Sequence, residues 1–195
     1  MRIGIDIRTL MEKEYSGVSE YTLNLVKAIL DQDRKNEYKL FYNSGRDIRG
    51  RMPEFKNDNV EIVSTRYPNK IFNYLLQKIL RYPEIDKMLE VDIFWLPNLN
   101  FISLSRKVKK ILTIHDLSFL RYPNFLGLQR NLWHYIINIK KLIREFDIII
   151  AVSENTKNDI IDLAGVSSDK VEVIYPGIGE EFKTINKSEM PFCEL

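Results

Sequence analysis

Short runs of Ile, Val, Leu and Phe recur along the chain, separated by longer stretches whose apolar residues fall three and four positions apart. The first pattern predicts strands and the second helices, so the two alternate. Strands are predicted over 2–7, 38–42, 60–64, 92–96, 110–114, 147–152 and 171–175. In "ILTI" and "DIIIAV" the apolar residues are largely consecutive rather than alternating. A strand buried on both faces needs that pattern, and such strands belong to parallel sheets covered by helices. The fold class expected is therefore α/β, a parallel sheet with helices on both faces.

Helices are predicted over 17–30, where Val18, Tyr21, Leu25 and Ile29 share a face, and over 128–146, where Leu132, Ile136, Ile139 and Ile143 do. Ser153 opens a third in "SENTKNDIIDLAG", with a serine at the N-cap and Gly165 just past the last apolar residue. Residues 43–59 are polar and read as a surface connection. Residues 70–83, "KIFNYLLQKILRYP", have a broad apolar face flanked by Lys70, Lys78 and Arg81. Packing into the core or against another domain explains that face, and lying on a membrane surface is the alternative. The pattern fails after Tyr175, so residues 1–175 form one expected domain and 176–195 an interdomain linker or tail.

Composition narrows the class. With 195 residues, 45% hydrophobic and 29% charged, the chain has material for one substantial core and a charged surface. Its 29 basic and 27 acidic residues nearly cancel, which argues against a nucleic-acid partner. A single cysteine, Cys193, cannot close an intramolecular disulfide, and the N-terminus is too polar for a signal-peptide core. A cytoplasmic protein is expected, with the inner face of a membrane as its one peripheral contact.

In parallel α/β sheets ligands bind beyond the carboxyl ends of the strands. Three candidates lie there. Ser16, Gly17 and Val18 open the first helix, where free N–H groups and the helix dipole favour phosphate; a plain loop and helix start is the alternative. His115 and Asp116 end the strand in "ILTIHDLSFLRYP": an imidazole there suits sugar hydroxyls or phosphate oxygens, against a structural histidine and a turn-capping aspartate. Ser153 and Glu154 follow "DIIIAV", where capping and ligand contact use the same helix end. His134, beside Trp133, reads as packing or surface. Two histidines without metal-ligand spacing make no zinc site, so no metal is expected, and no G-x-S-x-G elbow is present.

The ordered pieces "MRIGIDIRTL", "SGVSEYTLNLVKAIL", "ILTIHDLSFLRYP", "DIIIAVSENTKNDII" and "KVEVIYPGIGEEF" resemble the N-terminal half of a family 4 type glycosyltransferase of GT-B architecture, and cover about residues 1–182. Within that family the likeness is to mannosyltransferase-like enzymes of surface polysaccharide assembly. The resemblance implies a Rossmann-like domain on the acceptor side of a retaining transferase. Its donor would be a nucleotide-diphosphate sugar, its acceptor a glycan or lipid-linked saccharide, with no further cofactor and no metal. Gly17 matches the glycine that approaches the donor phosphates, with Ser16 where many members carry a second glycine. His115 matches the histidine beside the donor sugar, with positioning and charge stabilisation of the departing diphosphate as its implied work. Arg8 falls at the same edge of the sheet, and the loops 8–16, 66–70 and 97–105 are where such an enzyme lines its acceptor pocket.

The resemblance also implies a C-terminal domain with a basic pair and a Glu-x7-Glu motif for the donor. The spacing occurs at Glu12/Glu20, Glu172/Glu180 and Glu181/Glu189, none with the motif's surroundings. The expected reading is an acceptor-side half that is inactive by itself and is completed by a donor-binding domain. The rivals are one subunit of a split transferase and a non-catalytic module that binds a saccharide or nucleotide sugar.

Overall fold

In the computed structural model, which describes residues 1–121 and 139–177, all seven predicted strands form one sheet. They are β1 (Arg2–Asp6), β2 (Glu37–Asn43), β3 (Val60–Thr65), β4 (Ile93–Leu96), β5 (Lys109–Ile114), β6 (Ile148–Ala151) and β7 (Val171–Val173). Their order is β3-β2-β1-β4-β5-β6-β7, and every pair is parallel. The chain winds outward from β1 to β3, returns to the middle, and winds the other way from β4 to β7. Helical crossovers share one hand, so reversing direction puts the helices of the two halves on opposite faces.

Two apolar clusters bear this out. One lies beneath α1 (Gly17–Gln32), where Val26 and Leu30 meet Ile5, Leu40, Tyr42 and Trp95. The other lies beneath α2 (Ile85–Leu89), α4 (Ile139–Arg144) and α5 (Glu154–Ala164), where Ile85, Ile143 and Ile160 meet Phe94, Leu112 and Ile149. Neighbouring strand residues divide between them, Phe94 facing one cluster and Trp95 the other. A strand used on both sides reads as a continuous apolar run. α5 ends as its sequence predicts: Gly165 adopts φ 63°, and its N–H reaches the Ile161 carbonyl. Of the helix predicted over 128–146, residues 139–146 are described and Ile139–Arg144 are helical, and His134 lies outside the described residues.

Two connections differ from expectation. Residues 97–105, expected as a loop, are largely buried. Leu99, Phe101, Ile102 and Leu104 are buried, so the segment crosses from β4 to β5 as part of the core. Its backbone is irregular, and buried polar partners replace a helix ladder: Ser103 N–H donates to Gln77 Oε1 at 2.7 Å and Ser105 N–H to Asp86 Oδ1 at 2.7 Å. Residues 70–83 are neither wholly buried nor wholly exposed. Ile71–Leu80 is a π-helix with Phe72 and Gln77 buried, while Ile71, Leu75, Ile79 and Leu80 are exposed.

At the end of β1, Asp6 and Arg8 form a buried ion pair, each side chain 3% exposed. Arg8 Nε reaches both Asp6 carboxylate oxygens at 3.0 and 2.9 Å, and the guanidinium also donates to Asn73 Oδ1 and the Phe101 carbonyl. Removing one partner of such a pair leaves a buried charge uncompensated, which costs about 3–5 kcal/mol. Asp6→Ala is therefore expected to lower the urea-unfolding free energy by about that much, and Asp6→Ala with Arg8→Met by clearly less. Equal losses would show that the pair is not what holds this edge.

Candidate active site

The strand order reverses between β1 and β4, and in open parallel sheets ligands bind at the carboxyl ends of the strands beside such a point. His115 is the first residue beyond β5 there, and three elements hold it. Its Nε2 lies 3.0 Å from the Pro97 carbonyl, one residue past β4. Its ring meets Tyr21 of α1 edge to face, with centroids 4.8 Å apart. Its own carbonyl accepts from Thr156 Oγ1, in the first turn of α5, at 3.1 Å.

The Pro97 contact fixes the tautomer. A carbonyl oxygen can only accept, so Nε2 carries the ring proton and Nδ1 keeps its lone pair. Burial pushes the His115 pKa below its ordinary value, against the opposing pulls of the Pro97 carbonyl and Asp116. The imidazole is thus neutral at neutral pH. It can accept a hydrogen bond at Nδ1.

The first turn of α1 lies next to this histidine. Ser16 caps it, accepting from Ser19 N–H at 3.4 Å, while its carbonyl takes the Glu20 N–H at 3.0 Å. The N–H groups of Gly17 and Val18 are left at the open end of the helix. A Cβ on Gly17 would meet nothing within 4 Å, so that side of the turn is free space. Tyr21 sits one turn further along the same face and carries this terminus to His115.

The remaining expected residues are placed as follows. Asp116 is exposed and accepts from Ser118 N–H at 3.0 Å and Ser118 Oγ at 2.5 Å, so it caps α3 (Ser118–Arg121). Ser153 caps α5 through Thr156 N–H at 3.1 Å. Through Thr156 it also steadies His115, a link that sequence reading missed because threonine in "SENT" reads only as helix. Glu154 is exposed in the first turn of α5. Arg8 is the correction: its guanidinium turns into the protein to pair with Asp6, because an unpaired carboxylate there would be buried. Tyr21 was legible in principle, four residues after Gly17 on one helical face.

A family model, Glycosyltransferase Family 4, matches residues 15–182. The chain belongs to Glycosyltransferase Family 4. This family 4 chain has the Rossmann-like sheet of GT-B enzymes, and its match spans Gly17, His115 and Ser153. Among solved structures it is similar to an alpha-glucosyltransferase in complex with UDP and a 13-mer DNA containing a HMU base. The identity is 16% over 91% of this chain and 43% of that one, with a TM-score of 0.48. It is similar also to an alpha-glucosyltransferase with UDP-glucose and DNA containing an abasic site, at 18% identity over 90% and 42%, TM-score 0.48. The family 4 chain thus spans under half the length of these structures. They are described with DNA, so the expectation of no nucleic-acid partner gains nothing from them. No curated protein matches the chain. Among the described residues no cluster suits a metal ion, and no helix is long and apolar enough to cross a membrane.

The His115 shift makes a prediction about pH. The unfolded chain binds a proton near the ordinary value of about 6.5, and the folded protein only at lower pH. The preference for neutral imidazole stabilises the fold fully above that value and is lost as pH falls through it to the folded midpoint. Between about pH 7.5 and 5.5 the wild type is expected to lose more stability than His115→Gln. Parallel losses in urea titrations would contradict the burial argument.

Proposed function

We propose that this domain is the acceptor-side half of a retaining hexosyltransferase, of the mannosyltransferase-like kind, which moves a sugar from a nucleotide-diphosphate donor to a glycan or lipid-linked acceptor. The observation that carries the reading is the meeting of three features at the carboxyl edge of the sheet. These are the open first turn of α1, a neutral histidine with a free Nδ1, and a strand-order reversal beside them.

Each residue has a task that follows from its geometry. The Gly17 and Val18 N–H groups, with the positive end of α1, hold the donor diphosphate as charge builds on it during departure. Gly17 lacks a Cβ where the phosphates approach, and the space in front of it is open. His115 accepts from a hydroxyl of the transferring sugar through Nδ1, while Pro97, Tyr21 and Thr156 prevent the ring and its backbone from turning away. Its work is orientation, which converts into rate when the sugar is held in a reactive position. A basic pair and a glutamate motif for the donor are not among these residues, so a donor-binding domain completes the site.

Radiolabelled nucleotide sugars, offered as a panel, test this. The 195 residues alone are expected to give negligible turnover, and the same residues with a donor-binding domain measurable transfer with retention. Normal turnover by the 195 residues alone would contradict the half-site assignment. In the active pairing, His115→Gln keeps a group at the Nε2 position and His115→Asn one at the Nδ1 position. The Gln variant is expected to lose about 100-fold in kcat/KM and the Asn variant clearly less, if Nδ1 is the working atom. The reverse order would overturn that role. Gly17→Ala is expected to leave the melting temperature unchanged while weakening transfer; intact transfer would remove the glycine from the site.

A further inference from the structure

A cavity of about 540 Å³ opens where the connections following β1, β2 and β3 meet, away from His115; Met11, Gly45, Arg46, Arg51, Pro68 and Lys70 are among its walls. Its size is that of a small-molecule site. Three of those walls are cationic and no carboxylate lines it. Arg46, Arg51 and Lys70 are exposed, and none takes part in the ion pairs found among the described residues. Asp47, the carboxylate next to Arg46 in the chain, is already taken by Arg49 at 2.6 Å and Arg66 at 3.8 Å. The Arg49 side chain and N–H hold its carboxyl well below the usual range.

The walls are also held in place. Asn43, buried at the end of β2, uses both ends of its amide on the facing loop. Its Nδ2 donates to the Tyr67 carbonyl at 3.1 Å and to Asn69 Oδ1 at 2.9 Å, and its Oδ1 accepts from Thr65 Oγ1 at 2.8 Å and Tyr67 N–H at 3.1 Å. The two loops pass so closely at Gly45 that a Cβ there would stand 3.1 Å from the Pro68 Cα. Such pinning sets the floor between the cations before anything binds, which lowers the ordering cost of binding.

We propose that this cavity receives a phosphate-bearing end of the acceptor. The inference rests on the acceptor-side reading above and deepens it by naming the acceptor's chemical class. Two guanidinium forks and an ammonium with no acid among them match the oxygens of a phosphate or diphosphate ester. Lys70 also marks the start of the π-helix, whose outward stripe Ile71, Leu75 and Ile79 is 47%, 45% and 67% exposed. A phosphate carried on an apolar tail would meet both features, and a soluble phosphosugar the first alone.

Calorimetric titration with inorganic pyrophosphate, without donor, tests the site. The wild-type chain is compared with Arg46→Gln/Arg51→Gln/Lys70→Gln and with a charge-matched control, Lys27→Gln/Arg106→Gln/Lys107→Gln. The cavity variant is expected to bind at least about tenfold more weakly and the control nearly as wild type. Sedimentation with phosphatidylcholine vesicles, with and without phosphatidic acid, separates the sources. Acid-dependent sedimentation lost in the cavity variant supports a lipid-borne phosphate, and pyrophosphate binding without sedimentation a soluble one. The proposal is overturned if no phosphate probe binds, if the control loses as much as the cavity variant, or if duplex DNA at equal phosphate concentration competes as well as pyrophosphate. Because no transfer is measured, failure here leaves the transferase reading standing, and failure of transfer leaves this result standing.

Discussion

A parallel sheet is covered by the connections that build it, and in this chain that constraint sets where chemistry can occur. Each strand must be followed by a crossover long enough to return to the starting edge, so both faces fill with apolar side chains. Polar groups are left with the carboxyl edge, where strands stop and loops and helix termini meet. The reversal between β1 and β4 then opens that edge, because neighbouring crossovers leave it on opposite faces. His115, the α1 terminus and the cationic cavity all stand along this one line.

The buried polar residues near that edge share a task. Asp6 with Arg8, Asn43 with the loop at Tyr67, and Gln77 and Asp86 with the β4–β5 crossover each tie down backbone that has left the ladder of regular hydrogen bonds. Such groups are costly unless every partner is present, so they hold the edge in one arrangement rather than several. That rigidity is what a site built from loops needs, since a misplacement of about 1 Å costs a large factor in rate.

Seven strands, the α1 start and the α5 caps were legible in the chain because each follows from local rules: consecutive apolar residues, a serine before a helix, a glycine after it. Ser153 and Asp116 showed their capping roles for the same reason. What escaped sequence reading was set by contacts far apart in the chain. Arg8 looked available until Asp6 and Phe101 were seen around it, and residues 97–105 looked like a loop because irregular backbone and loop sequence are alike. The state of His115 depends on Pro97, 18 residues earlier, and on Tyr21, so no local pattern reveals that its charge is withheld. The cationic cavity was equally hidden, since Arg46, Arg51 and Lys70 come together only when β2 and β3 pair.

The central claim is that His115 stands at the carboxyl edge of the sheet as a neutral hydrogen-bond acceptor. Nitrogen-detected NMR of the imidazole at neutral pH tests it most directly. The account predicts a protonated Nε2 and a bare Nδ1, with Nδ1 responding when a nucleotide sugar is added to the chain paired with a donor-binding domain. A proton on Nδ1, or on both nitrogens, would contradict it.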